Sequence, residues 1–355
     1  MDQLVNFHHR LVSPGAKSLP ERFLLLLLYP FSYLYGVITW IRNRCYDFGW
    51  FSSYRSSLPV ISVGNLAVGG TGKTPVVDWL VKEFQKRGHR PAIISRGFSG
   101  NYTDDVGIVS TGDGILMSAI ECGDEPYLLA RKNPDCPVLV AKKRRHAISQ
   151  LEQSKQVDLI ILDDAFQHRA VKRDVDLVLL DAAAPLGNGM PLPAGTLREF
   201  PGALKRADLL LMTRTTTQNH QHFMGFEAFE SSHQLAVTAT GLDGESISVS
   251  QLQCLRCFAF AGIADPQNFF SSLLKVGFNL KSQLSFADHV TYQGQTLNQI
   301  NHAASGMDAL ITTEKDAVKL SADMFELPCY QIAMEIKINR SKEFFDHLTR
   351  CLWSK

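Results

Sequence analysis

The sequence predicts an α/β fold with a doubly wound, mostly parallel β-sheet, and three observations support this class. Short apolar runs alternate along the chain with stretches of helical pattern, which is typical of α/β proteins. The apolar runs are continuous rather than alternating, as expected for strands that are buried on both faces. The chain has 355 residues, of which 45% are hydrophobic, so it is long enough for about two domains with buried cores.

The order of the elements follows from the same patterns. In the first part of the chain, strands are expected at residues 59–63, 91–95, 138–141, 157–162, 175–181 and 208–212, and helices at 74–86 and 125–131. After a polar stretch at 215–233, strands are expected at 258–261, 309–312 and 330–338, and a helix at 268–275. We therefore expect an N-terminal apolar segment (1–50), a core domain (51–235) and a smaller C-terminal α/β domain (236–355).

The apolar segment at residues 23–40 carries no charged side chain. Its length is at the lower limit for crossing a bilayer, and its Tyr and Trp side chains suit the headgroup zone. A cleavable signal peptide fits poorly, because the run starts late and no small-residue cleavage site follows it. Three interpretations remain: a helix lying in the membrane interface, a single span, and a helical hairpin buried in the core. We predict a membrane-associated helix.

Charge and cysteine content exclude several classes of protein. The net charge of +1 gives no general attraction to nucleic acid, and neither a nucleic-acid partner nor an obligate protein partner is inferred. A basic run at residues 142–145 fits a solvated helix face. The seven cysteines are irregularly spaced, and Cys254 and Cys257 form a lone C-x-x-C pair. This spacing argues against a zinc site and favours free thiols in a reducing compartment.

The strongest motif is a glycine-rich loop at residues 64–74, G-N-L-A-V-G-G-T-G-K-T, between a predicted strand and a predicted helix. In this context, backbone N–H groups and the helix N-terminus hold nucleotide phosphates. Lys73 is expected to reach the β- and γ-phosphates and Thr74 to bind Mg²⁺. The predicted sheet is therefore P-loop NTPase-like, although Ala67 replaces the first glycine of the usual pattern. The expected nucleotide-binding residues are Val68, Gly69, Gly70, Thr71, Gly72, Lys73, Thr74 and Pro75.

A P-loop requires a second Mg²⁺ anchor, namely a carboxylate at the end of an apolar strand. Residues 159–164, L-I-I-L-D-D, supply it, with Asp163 and Asp164 as candidate metal ligands. The base-reading sequence N-K-x-D of guanine-nucleotide switches is not matched by the nearest segment, T-T-E-K-D at 312–316. That segment has the pattern of a helix start capped by Thr313. Specificity for guanine is therefore not expected.

These motifs and their surroundings resemble the tetraacyldisaccharide 4'-kinase family. Segments similar to family motifs follow in order over nearly the whole chain: V-G-N-L-A-V-G-G-T-G-K-T-P (63–75), S-R-G-F (95–98), G-D-E-P (123–126), L-D-D-A-F-Q-H (162–168), L-P-A-G-T-L-R-E (192–199), F-A-D-H-V-T-Y (286–292) and T-T-E-K-D (312–316). Pro75 directly after G-K-T is typical of the family. Ala165 and Phe200 stand where glycine and proline are expected.

The resemblance implies an enzyme that uses ATP and Mg²⁺ to phosphorylate an acylated glucosamine disaccharide phosphate, the lipid A precursor, at its 4'-hydroxyl. It also implies that Asp124 is the general base and His289 its partner, a pair suited to accepting a proton. The predicted boundaries place these two residues in different domains. Closure of the C-terminal domain over the active site would then assemble the pair and exclude water.

Charge on the transferred phosphoryl group has to be neutralised, and a guanidinium group matches phosphate oxygens well. The catalytic candidates are accordingly Lys73, Arg144 and Arg198 besides Asp124 and His289, with Arg96 a weaker candidate and Glu125 and Gln167 as supporting residues. The resemblance implies the cytoplasmic face of the bacterial inner membrane, with the N-terminal segment lying on it or spanning it once. Two alternatives stay open: a membrane-associated nucleotide switch and a soluble small-molecule P-loop kinase.

Overall fold

The structure is a computed structural model that describes residues 7–8, 10–12, 17–215 and 222–354. Residue contacts divide the chain into two units. Unit 1 comprises residues 1–96, 141–232 and 337–355, and unit 2 comprises residues 97–140 and 233–336. The division after Ser232 lies close to the boundary expected at residue 235. The chain is not cut linearly, however, because 97–140 groups with the later unit and 337–355 with the earlier one.

Strands and helices alternate along much of the chain, as an α/β fold requires. The strands are β1 Val60–Asn65, β2 Pro91–Ser95, β3 Gly107–Ser110, β4 Val138–Val140, β5 Leu159–Asp163, β6 Val175–Asp181, β7 Leu209–Thr213, β8 His222–Phe223, β9 Phe226–Gly241, β10 Ser246–Ser248, β11 Cys257–Ala261, β12 Leu280–Ser285, β13 Ala309–Thr313 and β14 Cys329–Ile338. The α-helices from residue 17 onward are α1 Leu19–Asp47, α2 Lys73–Gln85, α3 Ala119–Cys122, α4 Asp124–Lys132, α5 Arg144–Ser154, α6 Val249–Gln253, α7 Pro266–Lys275, α8 Gln295–Ala303, α9 Glu314–Ala317 and α10 Ser341–Trp353.

Unit 1 contains a parallel sheet in the order β2-β5-β1-β6-β7-β9. Every residue of β1, β2, β5 and β7 is buried, which explains why these strands are continuous apolar runs in the sequence. The strand before the glycine-rich loop is central in this sheet. Val63 pairs in register with Asp163, so the two motifs at the ends of β1 and β5 start level with each other.

The glycine-rich loop leads into α2, which packs on the sheet through Val76, Val77, Leu80, Val81 and Phe84. The last helix of the chain, α10, completes this core. The rings of Phe344 and Trp79 lie 5.7 Å apart, and those of Phe345 and Phe84 lie 4.9 Å apart. Aromatic pairs at such distances contribute beyond simple area burial. The C-terminal residues are therefore part of the unit that carries the glycine-rich loop.

Helix α1 has the reverse of the usual amphipathic pattern. Its buried residues are small or polar, namely Ser32, Gly36, Thr39 and Asn43. Its large apolar side chains are mostly exposed, among them Phe23, Leu26, Leu27, Phe31, Leu34, Ile38 and Trp40. By length and composition the helix is apolar enough to cross a membrane, with a mean hydropathy of 1.7 over a window of which 17% is buried. One helix runs through Pro30, so the interpretation as a buried hairpin is wrong.

Unit 2 contains four parallel strands in the order β12-β11-β13-β14, an antiparallel pair of β10 with β9, and an antiparallel pair of β3 with β4. The side chains of β11, C-F-A-F-A, alternate between two cores. Cys257, Ala259 and Ala261 pack in the cluster that contains Phe269 and Phe270 of α7. The phenylalanines of the strand pack on its other side with Tyr292 and Ile300.

Candidate active site

The glycine-rich motif forms the turn between β1 and α2. Gly72 precedes the helix with φ of 79°, a left-handed conformation that side-chain-bearing residues rarely adopt. Lys73 and Thr74 take the first two helical positions, where backbone N–H groups have no partner within the helix. Pro75 follows in the first turn, where its missing N–H removes no helical hydrogen bond. The free amides and the helix dipole at this turn suit an anion such as a phosphate.

The remaining loop residues are held by their backbone. The Val68 N–H donates to the Thr196 carbonyl at 2.8 Å, and the Thr71 carbonyl accepts from the Thr213 hydroxyl at 3.0 Å. The Gly70 carbonyl accepts from the Arg214 guanidinium at 2.7 Å. Arg214 was not predicted, because nothing in its local sequence relates it to a loop far earlier in the chain.

The two predicted acidic residues stand at the end of β5. Asp163 is buried and accepts a hydrogen bond from the Ser95 hydroxyl at 3.1 Å. Asp164 has φ of 47°, and its Oδ1 lies 2.8 Å from Arg198 Nη1 and 3.6 Å from Lys73 Nζ. Burial alone would raise the pKa of Asp164, but Lys73 and then Arg198 outweigh it, and the net pKa lies below the ordinary value. Asp164 is therefore ionised between two cations.

The predicted arginines differ in what they contact. Arg198 reaches Asp164 and also donates to Gln167 Oε1 at 3.3 Å, so it lies beside Lys73 at the loop. Arg144 is buried, and its Nη2 donates to the backbone carbonyls of Asp163 at 2.6 Å and Asp164 at 3.0 Å. This geometry fits a residue that holds the acidic turn in place. Arg96 is exposed directly after β2.

A magnesium ion would have hard oxygen donors at this end of the sheet, namely the Thr74 hydroxyl and the carboxylates of Asp163 and Asp164. Across the described ranges, no three His, Cys, Asp or Glu side chains cluster in a way that could hold a metal ion. The donors therefore fit Mg²⁺ of the kind that relies on phosphate oxygens and water for most of its ligands, rather than an all-protein metal cage.

Unit 2 brings together the two residues predicted to handle the proton. Asp124 is the first residue of α4, and its Oδ2 lies 3.0 Å from Nδ1 of His289. Gly123 has φ of 94°, and a Cβ there would lie 2.5 Å from the Phe98 carbonyl oxygen, so the turn into α4 requires glycine. The Phe98 ring packs on the imidazole at 5.6 Å. The structure thus holds a carboxylate and an imidazole in contact, and the Phe98 ring gives the imidazole an apolar neighbour.

Two lysines that the sequence patterns did not reveal surround this pair. Lys319 Nζ lies 3.4 Å from Asp124 Oδ2 and 3.5 Å from Asp316 Oδ1. Lys315 Nζ lies 3.5 Å from Nε2 of His289 and 3.0 Å from Asp288. They lie within and just after the T-T-E-K-D segment, whose helix start is capped by Thr313 as predicted. Their spacing along the chain was visible, but their distance from Asp124 depends on contacts between remote segments.

The charges around Asp124 have a clear net effect. Burial alone would raise its pKa, but the hydrogen bond from His289 and the charge of Lys319 outweigh burial and lower the pKa below its ordinary value. With Asp124 ionised, its carboxylate can only accept, so Nδ1 of His289 donates the proton of this hydrogen bond, and Nε2 lies 3.5 Å from Lys315 Nζ. Burial alone would lower the pKa of Lys315, but Glu125 and Asp288 raise it, so this lysine stays protonated.

The predicted boundaries had placed Asp124 and His289 in different domains. By their contacts, both lie in unit 2, because residues 97–140 pack with the later part of the chain. The two side chains already touch within that unit. Assembly of this pair therefore does not require closure between the two units, and the predicted domain boundaries stay a prediction.

A P-loop at the end of a central parallel strand, level with an acidic strand end and flanked by basic side chains, defines a nucleotide-binding protein of the P-loop class. The family model described as Tetraacyldisaccharide-1-P 4'-kinase matches residues 24–352. The chain belongs to this tetraacyldisaccharide 4'-kinase family, and it is a kinase. The predicted family, fold class and enzyme class are thereby confirmed.

Relatives and a solved structure agree with this placement. The tetraacyldisaccharide 4'-kinase of Syntrophotalea carbinolica is 42% identical over 95% of this chain and 94% of its own length. That of Geobacter metallireducens is 43% identical over 84% of this chain and 90% of its own. The crystal structure of LpxK from Aquifex aeolicus in complex with ATP is 31% identical, covers 93% of this chain and all of its own, and superimposes with a TM-score of 0.79.

Proposed function

We propose that this kinase transfers the γ-phosphoryl group of ATP to the 4'-hydroxyl of tetraacyldisaccharide 1-phosphate, giving the lipid A precursor lipid IVA. The observation that carries the proposal is the family match over residues 24–352, together with an intact G-K-T turn. The acceptor is part of the name of the relatives, and the similar Aquifex aeolicus structure contains ATP.

In this proposal, residues 68–75 hold the triphosphate. Lys73 and Arg198 both contact Oδ1 of Asp164, and their cationic groups would contact the phosphate oxygens when ATP binds. Thr74, Asp163 and Asp164 would hold Mg²⁺, which neutralises phosphate charge when it is bound. Arg144 would keep the Asp163–Asp164 turn in shape through its two backbone hydrogen bonds.

Asp124 would accept the proton of the acceptor hydroxyl while the oxygen forms its bond to phosphorus. Phosphoryl transfer passes through a loose transition state, so a carboxylate of lowered pKa can orient the hydroxyl first and take its proton late. His289 would fix the carboxylate through Nδ1, and Lys315 would fix the imidazole through Nε2. The pair does not require a strongly basic group, only an ionised and well-placed one.

The exposed apolar face of α1 would lie in the cytoplasmic leaflet of the bacterial inner membrane. Its buried face is occupied by small and polar residues, so the large apolar side chains have no protein partner within the described part of unit 1 that would bury them. A bilayer supplies that partner, and the aromatic residues Tyr33, Tyr35 and Trp40 suit its headgroup zone. The same surface would bring the enzyme to an acylated acceptor.

The test is a kinase assay with purified protein, γ-labelled ATP, Mg²⁺ and tetraacyldisaccharide 1-phosphate in detergent. We expect a doubly phosphorylated lipid, and no product from an acceptor that is already phosphorylated at the 4'-position. Lys73→Ala should remove most of the product. Label that appears only in free phosphate, with turnover indifferent to Asp124→Ala, would favour a nucleotide switch. Phosphorylation of soluble sugars but not of the lipid would favour a small-molecule kinase.

A further inference from the structure

Helix α1 makes polar contacts that a simple membrane anchor would not need. Asn43 Nδ2 donates to Glu199 Oε2 at 2.6 Å, and the Ser32 hydroxyl accepts from the Ala194 N–H at 2.7 Å. Arg42 Nη2 donates to the Gln167 carbonyl at 3.0 Å. The first two contacts reach the segment that carries Arg198. The third reaches the segment that carries Asp164.

The segment Leu192–Phe200 touches the helix on one side and the phosphate loop on the other. On the loop side, the Arg198 N–H donates to the Leu66 carbonyl at 2.8 Å, and Ala67 forms a bridge with Leu197. On the helix side, a Cβ on Gly36 would lie 2.3 Å from the ring of Phe200, so the two are in direct contact. One short segment therefore separates α1 from the P-loop.

The buried side chain of Glu199 anchors this segment. Its side chain is 2% exposed, and a buried carboxylate is costly unless donors surround it. The donors are Asn43 and Arg206, the latter at 3.0 Å, with Arg42 at 3.9 Å. Two of these three residues lie on α1. The residue directly before Glu199 is Arg198, whose guanidinium reaches Asp164.

A second route runs through Gln167. Its Oε1 accepts from Arg198 at 3.3 Å, its Nε2 donates to the Asn65 carbonyl at 3.0 Å, and its own carbonyl accepts from Arg42. Asn65 is the last residue of β1, directly before the loop. The helix is thus connected through Gln167 by hydrogen bonds both to Arg198 and to the start of the P-loop.

We infer that α1 is a positioning element of the nucleotide site, in which Asn43, acting on Glu199, keeps the Arg198 guanidinium at the phosphate loop. This positioning role within unit 1 is additional to the membrane docking proposed above. It rests on the proposed function only in that Arg198 acts on phosphate charge. Misplacement of a charge-neutralising group by about 1 Å can cost as much as a hundredfold in rate.

The experiment uses the full-length protein in detergent solution, where docking to a bilayer plays no part. Asn43→Leu removes the donor from Glu199 but keeps the helix apolar. We expect kcat for the lipid acceptor to fall about tenfold to a hundredfold, with KM for ATP changing less than threefold. Recovery on vesicles of phosphatidylethanolamine and phosphatidylglycerol should equal that of the wild type. The matched control is Thr39→Val, because the Thr39 hydroxyl donates at 2.9 Å to the Gly36 carbonyl of its own helix; its kcat should stay within twofold.

A rescue pair separates positioning from loss of structure. Asn43→Asp places two carboxylates together and should be at least as damaging as Asn43→Leu. Adding Glu199→Gln to it restores the hydrogen bond in the opposite direction, with the residue at 199 as donor and the residue at 43 as acceptor. Most of the lost kcat should then return. Wild-type kcat in Asn43→Leu, or a double variant no better than Asn43→Asp, would overturn the inference.

Hydrogen exchange gives a readout that does not depend on the acceptor. In Asn43→Leu without nucleotide, the Arg198 and Val68 amides should exchange at least tenfold faster, whereas Thr39→Val should leave them unchanged. If the wild type fails to phosphorylate the lipid but these amides respond, the proposed function fails and the positioning stands. If the lipid is phosphorylated but neither kcat nor exchange responds to Asn43→Leu, the positioning fails alone.

Discussion

The buried ammonium group of Lys319 offers a sharp test of the site in unit 2. It stands between the carboxylates of Asp124 and Asp316, and its side chain is 13% exposed. Lys319→Met keeps a long flexible side chain of similar volume but removes the charge. The substitution leaves two buried carboxylates with one cation fewer, without opening a large cavity.

The size of the effect follows from the distances. At 3.4 Å, the attraction between Lys319 and Asp124 is about 5 kcal/mol at an effective dielectric constant of about 20, before any desolvation is subtracted. Removing one partner of a buried ion pair typically costs about 3–5 kcal/mol. Asp124 keeps its hydrogen bond from His289, and Asp316 keeps those from Thr313 and Gly262. We therefore expect a loss of about 3 kcal/mol, at the lower end of that range.

The sign of the pH effect is fixed by the direction of the pKa shift. Because the folded pKa of Asp124 is lowered, its contribution to stability is present above the pKa of the unfolded chain and is lost as pH falls through the folded value. Without Lys319 the folded pKa rises. The stability difference between Lys319→Met and the wild type should therefore shrink in acid, and the acid limb of kcat/KM should move to higher pH.

Equilibrium urea unfolding at pH 7.5 and at acid pH, together with pH–rate profiles, measures both effects. Lys281→Met is the control, since Lys281 is exposed on β12 and its substitution should change neither quantity. A destabilisation of less than about 1 kcal/mol, within the range of ordinary surface substitutions, together with superimposable acid limbs, would refute the reasoning.

Three further predictions concern the Asp124–His289 pair and helix α1. Asp124→Asn should lower kcat roughly 100- to 10,000-fold in a steady-state assay with γ-labelled ATP, as expected for a general base; a loss below tenfold would remove it from that task. His289→Ala should lower kcat more than it raises KM for ATP, and the opposite pattern would make it a nucleotide ligand. Gly36→Ala should lower stability by about 1–3 kcal/mol, because its Cβ overlaps the Phe200 ring. Gly202→Ala, with open space around its Cβ, is the control in the same thermal unfolding series and should be near neutral.

The parts of the fold that could be predicted are those that depend on residues close together in the sequence. Strands β2 and β6 have the predicted bounds, and β1, β5 and β7 differ by two residues or fewer at each end, because buried parallel strands are continuous apolar runs. The strand–turn–helix context of the P-loop is local as well. The long strand β9 was missed, because Phe226–Gly241 is only partly buried and its first residues lie in a stretch rich in polar side chains.

The candidate site shows the same limit. Lys73, Asp163 and Asp164 belong to motifs with fixed spacing, and residue type alone indicates what they could bind. Asp124 and His289 are 165 positions apart, and only the family resemblance pointed to them. Lys319 and the Asn43–Glu199 pair could not be predicted, since their importance comes from contacts between remote segments and not from any pattern along the chain.

The aromatic contacts of α10 also bear on how the protein is made. Unit 1 contains residues 1–96 but lacks Phe344 and Phe345 until a much later part of the chain has been synthesised. Domains generally fold as units during synthesis from the N-terminus. The apolar surface of α2 around Trp79 therefore stays uncovered on the ribosome until α10 emerges. A nascent chain arrested before residue 341 would carry the whole G-K-T turn on an unfinished core.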